Sequence, residues 1–147
     1  MVSIGVEVLG VLSRWLHIAS ALLLIGGAFY ARSVAVPGLH ALPSDDRFQV
    51  WSVFIARFRP VVYGAIAGLV VSGIYNLATH PGHTRVYHIW FGIKMLLSAH
   101  VFAAALLATR EPDEKPDEES RRERRLSGVV ISGLIVVLIA AYLRRIY

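Results

Sequence analysis

The sequence predicts an all-α fold, an integral membrane four-helix bundle, and two observations support this. The chain has 147 residues, of which 56% are hydrophobic and 17% charged, and its mean hydropathy is +0.58. A soluble domain of this length needs more polar residues to cover its surface. The apolar residues also stand in long blocks, each close to the ~20 residues that a helix needs to cross a bilayer. We therefore expect a multi-pass protein whose first partner is the lipid bilayer.

The predicted spans form a single domain over residues 1–147. They cover about residues 6–30, 60–77, 87–108 and 126–143. Pro60 suits the first turn of the second span, because a proline there lacks only an N–H that would have no partner anyway. Segment 45–58 carries apolar residues at helical spacing, which predicts an amphipathic helix at the membrane interface or an extension of the second span. Small residues in the second and fourth spans favour close helix packing: Gly64, Gly68, Gly128 and Gly133.

Lysine and arginine residues divide unevenly between the two sides of the predicted bundle. Ten lie in the connections that follow spans one and three, against three near the termini and in the turn after span two. By the positive-inside rule, the charged linker 109–125 is cytoplasmic and both termini are outside. The linker's prolines and mixed charges indicate a solvated loop. Membrane topology also accounts for the net charge of +5, so no nucleic-acid partner is expected. The absence of cysteine excludes disulfides and thiolate chemistry.

His17 is an ionisable residue inside the first span, where a charge is expensive. At helical spacing it shares a stripe with small and polar residues, namely Gly10, Ser13, Arg14, Ser20 and Ala21. This stripe is expected to face the bundle interior. Polar residues also interrupt the other spans: Ser72 and Asn76 in the second, and Lys94, Ser98 and His100 in the third.

Depth along the helices groups these residues into one site. At ~1.5 Å per residue, His17 lies roughly 14 Å into its span and His100 roughly 20 Å into the third, with both spans entering from outside. Arg14, Lys94 and Asn76 lie somewhat shallower, in the same outer half. Two imidazoles from facing helices suit the iron of haem b, and a neighbouring cation suits its propionates. The alternative is interhelical hydrogen bonding, with the cations reaching to the interface.

A second group of histidines surrounds the outer turn between spans two and three. His80, His83 and His88 carry imidazoles, which suit Cu(II) or Zn(II). The alternative is a set of exposed histidines that bind no metal. With only Met1 and Met95 in the chain, a thioether pathway for Cu(I) is not expected.

Three stretches carry a resemblance to a known family: "RWLHIASALLLIGGAFYARSVAVPGL", "RFRPVVYGAIAGLVVSGIYN" and "YHIWFGIKMLLSAHVFAAAL". Their Trp-Leu-His, Gly-Gly, Arg-Phe-x-Pro and small-Gly-x-x-Asn motifs, and the lysine in the third span, resemble the CopD-type membrane proteins. That group also resembles the HemJ-type protoporphyrinogen oxidases. The first likeness implies copper uptake or resistance at the bacterial inner membrane. The second implies haem b and porphyrinogen oxidation. The first-helix histidine and third-helix lysine of the HemJ-type proteins correspond by position to His17 and Lys94. HemJ-type proteins place a further histidine late in the third helix, where this chain has three alanines at 103–105.

The expected function is therefore that of a small CopD-like membrane protein with a haem b- or metal-linked role, redox or copper-handling, in the outer half of the bundle. One alternative is a HemJ-like oxidase in which His17 and Lys94 handle protons and electrons. Another is a cofactor-free accessory subunit of a larger membrane complex, or a homo-oligomer, whose apolar faces pack against other chains. The sequence leaves open whether the protein is an enzyme.

Overall fold

The computed structural model describes residues 2–79, 85–111 and 117–145, and these are almost entirely helical. The helices are α1 (Val2–Tyr30), α2 (Val36–His40), α3 (Ser44–Ala78), α4 (Arg85–Ala108) and α5 (Glu118–Arg145). No strand occurs within those described ranges. Because α1 continues into α2, four helical rods are long and apolar enough to cross a membrane. The prediction of an all-α four-helix bundle is confirmed.

The first span extends past its predicted end at residue 30. A π-helical turn, Ala31–Ala35, joins α1 to α2, so the rod continues to His40. Pro37 lies in the first turn of α2 and lacks an N–H. The wider π turn lies directly before this proline, and the rod stays helical through both. The chain therefore stays helical where the sequence predicted that the span would end.

The sequence predicted that the second span begins at Pro60. In the structure, the helix that carries this span, α3, begins at Ser44, and Pro60 lies in its interior. Segment 45–58 is therefore a helical extension, one of the two alternatives that the sequence left open. Trp51 and Ile55 are 7% and 2% exposed, and this burial holds the helix together through the proline. Packing here outweighs the hydrogen bond that an internal proline removes.

Part of the predicted linker loop 109–125 is also helical, because α5 begins at Glu118. Glu118 lies in the first turn of the helix, where a negative charge is favourable, and pairs with Arg122 one turn later at 3.6 Å. Arg122 is only 5% exposed and its guanidinium lies 5.3 Å from the ring centroid of Trp51. Residues 118–125 are thus helical rather than a loop, and Arg122 is buried against Trp51 of α3, while Glu119, Ser120, Arg121 and Arg124 remain exposed.

Polar and charged side chains join the C-terminal part of the first rod to the start of α5. Nε2 of His40 lies 3.0 Å from a carboxylate oxygen of Glu119 and 3.4 Å from one of Glu123. Arg32 lies 3.5 Å from Glu123 and donates a hydrogen bond to Ser127 Oγ at 3.1 Å. These residues lie on the side that the distribution of Lys and Arg predicts to be cytoplasmic.

The helices pack as two pairs. The first pair is α1 with α3, the second is α4 with α5, and contacts between α1 and α5 join the pairs. Helices α3 and α4 contact each other little. The buried core that holds the pairs together includes Leu24, Ala28, Val62, Val101, Ala105 and Val129. The space left between α3 and α4 is the site of the cavity described below.

Two glycines make the close approaches that the small residues predicted. A Cβ on Gly68 would overlap Ser20 Oγ, and one on Gly133 would lie 2.8 Å from Ile25 Cγ1. Gly64, predicted to belong to the same packing face as Gly68, has open space where its Cβ would be. Gly68 therefore permits the close α1–α3 approach at Ser20, and Gly133 permits the close α1–α5 approach at Ile25.

Candidate functional site

A cavity of about 340 Å³ lies among all four long helices. This volume falls at the lower end of the ~300–1,000 Å³ typical of ligand sites. Its wall is mostly apolar, with leucine, isoleucine, valine, phenylalanine and methionine side chains. Its main polar members are His17 from α1, Asn76 from α3, and Lys94 and Ser98 from α4. A mostly apolar cavity with a few convergent polar groups is the usual form of a small-molecule site.

Two consecutive hydrogen bonds connect His17 to α3 through Ser72. Ser72, which is 1% exposed, donates its hydroxyl proton to the carbonyl oxygen of Gly68, with a separation of 2.5 Å. Because that proton is used, Ser72 Oγ accepts a hydrogen bond from Nδ1–H of His17, at 2.9 Å. In the neutral imidazole this leaves the lone pair on Nε2. In this tautomer Nε2 is the ring nitrogen able to accept a hydrogen bond or to ligate a metal, and His17 lines the cavity.

The same face of α1 makes a second polar contact with α3, one turn before His17. Ser13 Oγ lies 3.3 Å from both the carbonyl oxygen of Ser72 and Oδ1 of Asn76. The imidazole also lies beside Gly73, where a Cβ would make ordinary van der Waals contact with His17 Cε1 at 3.8 Å. The small, polar stripe of α1 thus faces α3 and fixes the imidazole in place.

Lys94 reaches the cavity from the opposite helix pair. It is half-buried on α4 and lines the same cavity as His17. No acidic side chain lines the cavity among the described residues. A basic cavity wall without a carboxylate of its own is complementary to an acidic ligand.

The structure does not bring His100 or Arg14 into this cavity. His100 is exposed, and its Nε2 lies 3.6 Å from the position of a Cβ on Gly128. It follows Lys94 by six residues, which turns it about 240° around the helix and moves it about 9 Å further along. Arg14 is exposed on α1 and is absent from the described lining. The sequence added His100 by depth, which does not fix the face of a helix, whereas it placed Arg14 on the stripe of His17 by helical spacing.

The histidines of the outer turn are only partly described. His80 and His83 lie outside the described residues, and His88 is exposed near the start of α4 with its ring edge toward Tyr87, at 6.0 Å. Within the described ranges, no three His, Cys, Asp or Glu side chains form a group able to hold a metal ion.

The aromatic wall of the cavity was not predicted from the sequence. Tyr87 and Phe91 line it from α4, with their rings stacked at a centroid distance of 5.9 Å. Their spacing of four residues was the available signal, since such pairs share a helix face. Ser72 was noted as a polar residue of span two but not as a partner of His17.

Fold and site together define a class: a multi-pass membrane protein with an amphiphilic cavity enclosed by its spanning helices. No protein-family model, curated protein or solved structure matches this chain. The function must therefore be argued from the residues of the cavity.

Proposed function

We propose that the chain is a tetrapyrrole-binding protein of the bacterial inner membrane, which holds haem b or a porphyrin between its helices. The observation that carries this proposal is that His17 and Lys94 line one cavity from opposite helix pairs. An imidazole nitrogen is the commonest protein ligand of haem iron, and a lysine suits a propionate. The aromatic pair Tyr87 and Phe91 offers a flat apolar surface to a ring system.

The residues of the cavity would supply one imidazole to the iron rather than two. His17 presents Nε2 because Ser72 holds Nδ1, whereas His100 lies outside the cavity on another face of α4. Haem b would supply one-electron redox chemistry when bound. The chain's own part is to bind the ring in an apolar wall, orient it through His17 and offset its acidic groups with Lys94.

Porphyrinogen oxidation is a second candidate, and the same pair favours it. His17 and Lys94 are the positions that the HemJ-type resemblance nominates, and both line the cavity. Expression of the chain in an oxidase-deficient bacterial strain tests it. Growth that depends on His17 and Lys94 would support the activity, and failure to grow despite normal membrane expression would count against it.

The absorption spectrum of the protein purified in detergent tests tetrapyrrole binding. We expect a Soret band from bound haem or porphyrin, or its appearance on titration with haemin. His17→Ala should abolish the haem band, and Lys94→Gln should weaken haem affinity by roughly tenfold, as expected for a lost charge-assisted contact. His100→Ala is the matched control and should leave the spectrum unchanged.

A colourless protein that does not bind haemin or protoporphyrin IX would contradict the proposal and favour the accessory-subunit alternative. Loss of the band in His100→Ala would instead restore the two-histidine arrangement that the sequence predicted. Copper handling stays a prediction from the sequence, and metal analysis of the same purified sample tests it.

A further inference from the structure

The cavity opens to the surface of the bundle between α3 and α4, and the rim of this opening is apolar. Several of its lining residues are at the same time largely exposed: Val70 (43%), Ile74 (65%), Leu77 (51%) and Met95 (52%). A side chain can both line a cavity and be exposed when it stands at an opening. Since α3 and α4 make little contact with each other, this opening lies along the seam between the two helix pairs.

In a membrane-spanning bundle, this rim meets lipid tails. All four exposed rim residues are apolar and lie within helical segments long and apolar enough to cross a bilayer. The polar groups, His17 and Lys94, are less exposed than the rim. Along the path from lipid into the protein, the wall therefore changes from apolar at the seam to basic inside.

We propose that the ligand of this cavity is a membrane-dissolved amphiphile with a carboxylate head, and that it enters sideways from the bilayer through the seam between α3 and α4. For a porphyrin as ligand, the inference rests on the proposed function. Sideways access keeps the apolar body of the ligand out of water throughout. The ligand therefore never loses the hydrophobic stabilisation that it would lose on extraction from lipid into water. The acidic head then meets Lys94, and no acidic side chain among the described lining opposes it.

Bulky substitutions at the rim test the path, and each helix offers a matched control. Ile74→Trp and Met95→Trp narrow the seam. Val71→Trp and Leu96→Trp place the same bulk on residues of the same helices that are 63% and 75% exposed and do not belong to the described lining. The full-length protein is reconstituted in vesicles, and donor vesicles deliver either protoporphyrin IX or a pyrene-labelled fatty acid, with the probe's own fluorescence followed in time.

We expect the two rim variants to slow association by about tenfold and to slow dissociation as well, because the same opening serves entry and exit. The two control variants should bind at the wild-type rate. The wild-type association rate should follow the mole fraction of probe in the lipid rather than its total concentration in the sample.

The outcomes separate this inference from the proposed function. Porphyrin binding with unchanged rates in both rim variants would overturn sideways access and leave the proposed function standing. Binding of the fatty acid alone, slowed by the rim variants, would support sideways access of an acidic amphiphile and contradict a tetrapyrrole ligand. A wild-type protein that binds neither probe would overturn both.

Discussion

At the scale of single residues, Ser72 decides what His17 is able to do. The hydroxyl of Ser72 is tied to its own helix, so its oxygen orients the imidazole and sets which ring nitrogen carries the proton. Such partners of a ligand histidine act through orientation and tautomer, without touching the ligand. Ser72 is therefore a positioning residue of the proposed site.

Ser72→Ala should weaken haem binding by roughly 10–100-fold, the range seen when the supporting partner of a ligating histidine is removed. The expected sign of a positioning role is a shifted Soret band in the residual complex, measured by haemin titration alongside the thermal midpoint. Ser52→Ala is the control, because Ser52 makes the same helical bond, to the Phe48 carbonyl oxygen at 2.8 Å, at an exposed site. Equal loss of affinity in both variants would contradict the role assigned to Ser72.

At the scale of helices, glycines set how closely the elements approach. Gly133→Ala would place a Cβ 2.8 Å from Ile25 Cγ1 and 3.0 Å from its Cδ1, so α5 and α1 would have to separate or Ile25 would have to move. We expect a loss of about 1–3 kcal/mol in the free energy of unfolding, typical of overpacking. Thermal unfolding in detergent, followed by circular dichroism, measures it.

A double-mutant cycle identifies the cause of that loss. Ile25→Ala removes the opposing atoms, so Gly133→Ala should cost little in that background, and the two substitutions should couple. Gly64→Ala is the control, since nothing lies within 4 Å of its Cβ position, and it should be neutral or slightly stabilising. Additive losses in the cycle would mean that the clash with Ile25 is not the reason.

The sequence predicted the four long helices and the bounds of α4 to within two residues, but not the end of the first rod or the starts of α3 and α5. Hydrophobic blocks of bilayer length are a strong signal, whereas Pro60 was weighed only for its local geometry. Burial of Trp51 and Ile55 keeps α3 continuous through that proline. The start of α5 was missed for a similar reason: its charges indicate solvent, while the packing of Arg122 on Trp51 depends on tertiary contact.

The site was predicted in part. His17, Asn76 and Lys94 line the cavity, and the helical stripe of His17 carried that information. His100 was added by depth, which constrains one coordinate of a helix and leaves its rotation open, whereas Arg14 was placed on the stripe of His17 and lies outside the described lining. That rotation is set by how the pairs α1–α3 and α4–α5 pack, and residue spacing within one span does not contain it.

At the scale of the whole molecule, pairing of the helices explains why a bundle this small has room for a ligand. Each pair is closely packed within itself, and α1 and α5 join the two. The loose seam between α3 and α4 leaves both the cavity and its apolar rim. A binding site and its access path thus arise from one packing feature.

The orientation of the whole bundle in the membrane can be tested with single introduced cysteines, because the chain has no cysteine of its own. Thr79 ends α3 on the side of the termini, Ser120 lies near the start of α5, and both are exposed. The positive-inside rule predicts that Thr79→Cys reacts with a membrane-impermeant maleimide in intact spheroplasts and that Ser120→Cys reacts only after lysis. Val129→Cys, at a buried position, should stay unlabelled in both. The reverse pattern would place the charged linker outside, and with it would move the cavity's polar end to the cytoplasmic half of the membrane.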